Sequence, residues 1–110
     1  MPTSREKGRL AEQKASCFLQ NLGFEIVDRN FYSRFGEIDL IAFKNKTLHF
    51  IEVKSGVRFE PIYAITPKKI EKILKTIDFY LTQHHIAYDY CLSVIVIKGD
   101  EIQWLENIML

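Results

Sequence analysis

Gly36-Glu37-Ile38-Asp39-Leu40-Ile41-Ala42-Phe43-Lys44-Asn45-Lys46-Thr47-Leu48-His49-Phe50-Ile51-Glu52-Val53-Lys54 decides how this chain folds. Two β-rich runs, Ile38 to Phe43 and Thr47 to Val53, flank a turn predicted at Asn45-Lys46. A hairpin closed there pairs Lys44 with Thr47 and, counting outward, Asp39 with Glu52 and Glu37 with Lys54. Side chains alternate faces along a strand, so Glu37, Asp39, Glu52 and Lys54 are expected on one face. Ile41, Phe43, Leu48 and Phe50 are expected on that face further down, which leaves the charges at the end of an apolar surface.

Opposed carboxylates are costly. With Cβ atoms about 5 Å apart, two negative charges repel by roughly 3 kcal/mol at an effective dielectric of 20. Lys54, a shared proton or a bound cation would offset this. Mg²⁺ suits such a place, because it takes hard oxygen ligands from one or two carboxylates and leaves room for a phosphate. A cation there would stabilise phosphate charge and acidify water, with Lys54 orienting that water or opposing the charge that develops. A surface ion pair between Glu37 and Lys54, with Asp39 and Glu52 solvated at a sheet end, fits the same spacing. A slip of one residue would separate the two carboxylates.

Asp39 followed by Glu52-Val53-Lys54 matches the D…(D/E)-x-K signature of the PD-(D/E)XK nucleases. The wider pattern is narrower: Gly8-x-x-x-Glu12-x-x-Ala15, Arg29-Asn30-Phe31, Arg34-Phe35-Gly36-Glu37-Ile38-Asp39-Leu40-Ile41-Ala42, Phe50-Ile51-Glu52-Val53-Lys54 and Thr66-Pro67-Lys68-Lys69. In that order it closely resembles the bacterial YraN family of uncharacterised, nuclease-like proteins, over nearly the whole chain and weakening after about Asp89. The resemblance implies a single restriction-endonuclease-like α/β domain, similar to archaeal Holliday-junction resolvases, with a mixed sheet flanked by helices. It also implies Asp39 and Glu52 as ligands of Mg²⁺ or Mn²⁺, Lys54 as the catalytic lysine and Glu12 as an accessory acidic residue. Glu37, facing Lys54, is expected to be a second accessory acid. Members often carry a basic residue soon after the Glu-Val-Lys triplet, whereas here Ser55-Gly56-Val57 intervenes before Arg58.

The rest of the chain agrees with one domain of 110 residues. Thr3-Ser4-Arg5-Glu6 reads as a capping box opening a helix to about Asn21, buried through Ala11, Ala15, Phe18, Leu19 and Leu22. Glu12 borders that stripe and reaches either solvent or the sheet. Phe24 to Asp28 reads as a first strand. Val57 to Ile65, with Phe59, Pro61 and Tyr63, reads as an irregular loop beside the candidate site. Thr66 and Pro67 start a second helix buried through Ile70, Ile73, Leu74, Ile77 and Leu81. Cys91 to Ile97 reads as an interior strand, and Lys98-Gly99-Asp100-Glu101 closes a hairpin onto a last strand to Leu105, with Trp104 packing on its neighbour. Helix, three strands, helix and two strands make an α/β domain with a mixed five-stranded sheet and an antiparallel hairpin. Cys17 and Cys91, both in apolar contexts, read as buried thiols, and the His/Cys spacing of a zinc site is missing. No apolar segment approaches membrane-spanning length, which points to a cytoplasmic protein.

Net charge does not announce a nucleic-acid binder, since 15 basic against 14 acidic residues leave +1. Distribution says more. Lys68, Lys69, Lys72 and Lys75 share the exposed face of the second helix, Arg5, Lys7 and Arg9 line the first, and Arg29, Arg34 and Arg58 surround the acidic hairpin. These can contact phosphates in a salt-sensitive mode or form a solvated face. The three histidines offer no general base, and Tyr63, Tyr80, Tyr88 and Tyr90 read as core or rim. Two functions remain: a metal-dependent endonuclease acting on DNA, including branched or structured DNA, or a nucleic-acid-binding accessory module on a nuclease scaffold. A homodimer is one way to complete the DNA surface of either.

Overall fold

A computed structural model describes residues 3–56 and 66–109, so Arg58 and the loop at 57–65 lie outside the described residues. The element order is α1 (Ser4–Asn21), β1 (Glu25–Ser33), β2 (Gly36–Lys44), β3 (Thr47–Ser55), α2 (Pro67–Gln83), β4 (Asp89–Lys98) and β5 (Glu101–Leu105). All five strands form one sheet in the order β1-β2-β3-β4-β5, antiparallel except for the parallel β3–β4 pair. This is the expected mixed sheet, with α2 as the crossover between its parallel strands.

Local chemistry explains where the elements begin and turn. Thr3 caps α1 by accepting from the Glu6 amide, and Thr66 caps α2 by accepting from the Lys69 amide, with Pro67 opening the helix. Asn45 and Lys46 both have positive φ, 51° and 61°. A two-residue turn of that handedness matches the twist of the strands it joins, and it sets the β2–β3 register that was expected: Lys44 with Thr47 through Leu40 with Ile51. β1 runs five residues beyond the predicted Asp28, to Ser33, so Arg29-Asn30-Phe31 lies inside a strand.

The helices cover opposite faces of the sheet. On one side Ala11, Ala15 and Leu19 of α1 pack with Phe24, Leu40, Ala42, Ile51, Ile95 and Ile97. On the other, Ile73, Ile77 and Tyr80 of α2 pack with Ile38, Ile41, Leu48, Phe50 and Leu92. Trp104 stands opposite Ile95 and meets Phe24 edge-on, as expected of a packing residue. Cys91 is buried with its Sγ 3.2 Å from His49 Nδ1, and burial pushes the His49 pKa down and the thiol up. Cys17 differs from expectation: it is exposed on the outer side of α1, because Ala15 and Leu19 occupy the inward positions around it.

Candidate active site

β2 and β3 stay paired up to Leu40 and Ile51 and then part. Beyond that point β2 remains paired with β1 through Ile38–Phe31 and Glu37–Tyr32, while β3 remains paired with β4 as far as Ser55–Ile97. The two halves of the sheet thus form a fork, and Asp39 fills it. Its Oδ2 accepts a hydrogen bond from the Val53 amide at 2.8 Å. A strand amide points along the sheet toward its neighbour, so the Asp39 carboxylate takes the position that a backbone carbonyl of β2 would otherwise hold.

This geometry corrects the expected pairing. Asp39–Glu52 and Glu37–Lys54 are not ladder pairs, because the ladder ends one residue before them. Strict alternation also fails at Asp39. Ile38 belongs to the core under α2 and Leu40 to the core under α1, so the residue between them is directed into the fork rather than onto a face. The partner strand shares the irregularity. Asn30, between the Arg29–Leu40 and Phe31–Ile38 pairs, has φ 50°, a left-handed conformation that asparagine tolerates.

Glu52 comes from β3, beside Val94 of β4, and is only 8% exposed. Its Oε1 is buried with no hydrogen-bond partner among the described residues. Burial first, and the charges of Asp39 and Glu37 next, push its pKa up to about 8, with Lys54 opposing them. Asp39 is also raised, by burial above all, against the opposing effect of the Val53 hydrogen bond. Each carboxyl acts on the other's titration, and burial with the nearby Asp39 charge favours the protonated form of Glu52.

Lys54 is half-buried and close enough for its charge to act on both carboxyls. Glu12 resolves toward the sheet: burial and the nearby Asp39 charge raise its pKa, while a hydrogen bond from Asn30 lowers it. Glu37 is exposed opposite Tyr32, and its charge reaches Glu12, Asp39 and Glu52. No group of three or more His, Cys, Asp or Glu side chains with metal-holding geometry occurs among the described residues. What the fork offers a cation is the Asp39–Glu52 pair.

The basic candidates gather at the same end of the sheet. α2 begins at the end where β3 stops, since it must return the chain to start a parallel β4. Its first turns carry Lys68, Lys69 and Lys72, all exposed. The β1–β2 hairpin rests on this helix through Ser33 Oγ and Thr76 Oγ1, 3.2 Å apart. Arg34, in the hairpin turn, holds its guanidinium 4.9 Å from the centre of the Phe35 ring. Arg29 bonds to Ser16 Oγ and lines a groove of about 560 Å³ between α1 and β1 with Arg9, Glu12 and Asn30. Tyr32 was missed by the sequence reading, which ended β1 four residues too early to place it. The apolar spacing gives no sign of the fork, since Ile38 and Leu40, two residues apart, keep the alternation that the structure breaks.

The fork makes a prediction about Asp39. Asp39→Asn keeps an acceptor for the Val53 amide, whereas Asp39→Ala leaves that amide unpaired. Asp39→Ala should be less stable than Asp39→Asn by about 1–3 kcal/mol in urea unfolding. Equal stability of the two variants would show that the hydrogen bond does not hold the fork.

Comparison with known proteins converges on one family. The family model described as "Uncharacterised protein family UPF0102" matches residues 11–97, which extends past the point where the sequence pattern weakened. A UPF0102 protein of Helicobacter hepaticus is 56% identical over 107 residues, 97% of each chain. Another from Helicobacter pylori is 56% identical over 104 residues, 94% of this chain and 91% of its own. One from Wolinella succinogenes is 51% identical over 107 residues, 97% of this chain and 99% of its own. The resemblance to the YraN family is thereby borne out. Among the described residues, no helix is long and apolar enough to cross a membrane.

Proposed function

The chain belongs to the uncharacterised protein family UPF0102, and on that premise we propose that it is a metal-dependent endonuclease hydrolysing DNA phosphodiester bonds. The observation that carries this reading is the buried, unpartnered Oε1 of Glu52 beside Asp39. A buried carboxyl with one oxygen unsatisfied, set beside a second, half-buried one, is destabilising in a purely structural role, because burial penalises its charge. The pair suits a site that receives a cation.

Asp39 and Glu52 would hold Mg²⁺ or Mn²⁺, hard cations that accept a pair of carboxylates and leave positions for phosphate oxygens. When bound, the cation supplies Lewis-acid stabilisation of phosphate charge. The chain's own groups do the rest. The Val53 amide fixes the orientation of Asp39. Lys54 brings a positive charge to the carboxyl pair, where it opposes charge developing on the phosphate and orients water. Glu12 and Glu37 add negative potential around the pair as accessory acids. Arg29, Arg34, Lys68, Lys69 and Lys72, with Arg58, bind flanking phosphates in a sequence-independent way. In this reading the protein works in the cytoplasm.

Cleavage of single-stranded, duplex and four-way-junction DNA tests the proposal, with Mg²⁺ or Mn²⁺ against EDTA. Cutting should require the divalent ion, and Lys54→Ala should slow it by roughly a hundredfold or more. The net charge of +1 favours a second reading, an accessory module that binds nucleic acid without turnover. DNA binding with no cutting of any substrate, and no divalent-ion binding by calorimetry, would establish that reading instead. A homodimer would double the modest basic surface in either case.

A further inference from the structure

Tyr32 is the most exposed of the large hydrophobic side chains among the described residues, at 69%. A lone exposed tyrosine on a protein surface is ordinary. Three features separate this one. It stands directly opposite Glu37, two residues along β2 from Asp39, or roughly 7 Å of strand. Its hydroxyl lies close enough to Glu37 for that charge to act on it. Its neighbour Phe31 packs against Tyr80 of α2, centroid to centroid 4.9 Å, so alternation places Tyr32 on the other face, the side of α1. Arg5 lies close enough for its charge to act on the Tyr32 hydroxyl, and Arg34 is two residues away in the hairpin turn.

We infer that Tyr32 is a stacking platform for an unpaired DNA base next to the scissile phosphate, and so selects substrates with single-stranded character at the cut. The inference rests on the nuclease reading for its location and goes beyond it in naming what is recognised. An exposed ring presents a face, and every nucleobase has a complementary face. Bases inside an intact duplex are already stacked on each other and cannot present theirs. Arg5 and Arg34 are placed to take the phosphates on either side of the stacked nucleotide.

Fluorescence anisotropy tests this without cleavage, in a Glu52→Gln background with Mg²⁺. The probes are a fluorescein-labelled duplex carrying a short single-stranded gap and an intact duplex of the same length. The gapped DNA should bind more tightly. Adding Tyr32→Leu should weaken gapped binding about tenfold and leave intact-duplex binding nearly unchanged, while Tyr32→Phe should stay within about twofold of the parent. A purely structural hydroxyl role would make Tyr32→Phe behave like Tyr32→Leu, and that result overturns the inference. So does equal weakening on both DNAs, an unchanged preference, or no binding to either. Cleavage by wild type combined with Tyr32-independent binding removes the stacking inference alone. A Tyr32-dependent preference with no cleavage by wild type removes the nuclease reading alone.

Discussion

Glu52→Gln is expected to stabilise the metal-free protein at alkaline pH while removing hydrolysis. The folded-state pKa of Glu52 is raised from an ordinary 4.5 to about 8, chiefly by burial. Between those values the unfolded chain releases a proton that the folded chain retains, so stability falls as pH rises from about 4.5 to about 8. The slope from this one group is at most about 1.4 kcal/mol per pH unit, and partial solvent access reduces it. Glutamine is a neutral isostere of the protonated acid. Thermal melts should therefore separate wild type from Glu52→Gln by several degrees at pH 8.5, the variant higher, and by little at pH 5. Divalent ions should raise the wild-type midpoint and leave the variant unmoved. Cleavage should fall on the order of a thousandfold with the loss of one charged ligand. A variant less stable than wild type at pH 8.5 would mean that the Glu52 carboxylate is satisfied in the folded state, contrary to its unpartnered oxygen.

Phe50→Ala should produce the largest loss of stability in the sheet. Phe50 is fully buried, centred under α2 with Tyr80 at 5.6 Å and Tyr90 at 6.1 Å between ring centroids. Its neighbours are anchored in a helix and two strands, so the cavity cannot close by a local shift. Truncations of this kind cost about 3–5 kcal/mol, a large part of what holds a domain of this size together. Urea unfolding should show a lowered midpoint at unchanged slope, and the melting temperature should fall by on the order of 15 °C. Phe50 lies two residues before Glu52, so any activity lost at low temperature, where the variant is folded, reports displacement of the β3 carboxylate. A cost under about 1 kcal/mol would contradict the packing of this face.

The parts of the molecule that were legible in the sequence are those governed by short-range rules. Thr3 and Thr66 marked their helices by capping chemistry, and Asn45-Lys46 fixed the hairpin register by turn geometry. Ile41, Phe43, Leu48 and Phe50 fell on one face because period-two alternation holds there. The fork was not legible by that rule, since a strand that turns one side chain into the sheet no longer alternates. Asp39 was identified as a site candidate from its chemistry, but its bond to the Val53 amide depends on β2 leaving β3. Cys17 was misplaced because a helical residue two positions from Ala15 and Leu19 points away from both, whatever the apolar content around it. Glu12 was left between solvent and sheet, and only the packing of α1 on the sheet decided it.

The parallel β3–β4 ladder has a consequence for the order in which the molecule assembles. β1–β2 and β2–β3 are hairpins, closed across two-residue turns, whereas Thr47 meets Asp89 only after the whole α2 connection has closed. Loop closure places the hairpins early and the parallel pairing late. Asp39 and Glu52 are therefore brought to one end of a solvated hairpin while water still screens them. Their desolvation waits on the non-local pairing that brings Val94 beside Glu52. The energetic burden of the site thus falls on the long-range pairing and spares the local hairpins.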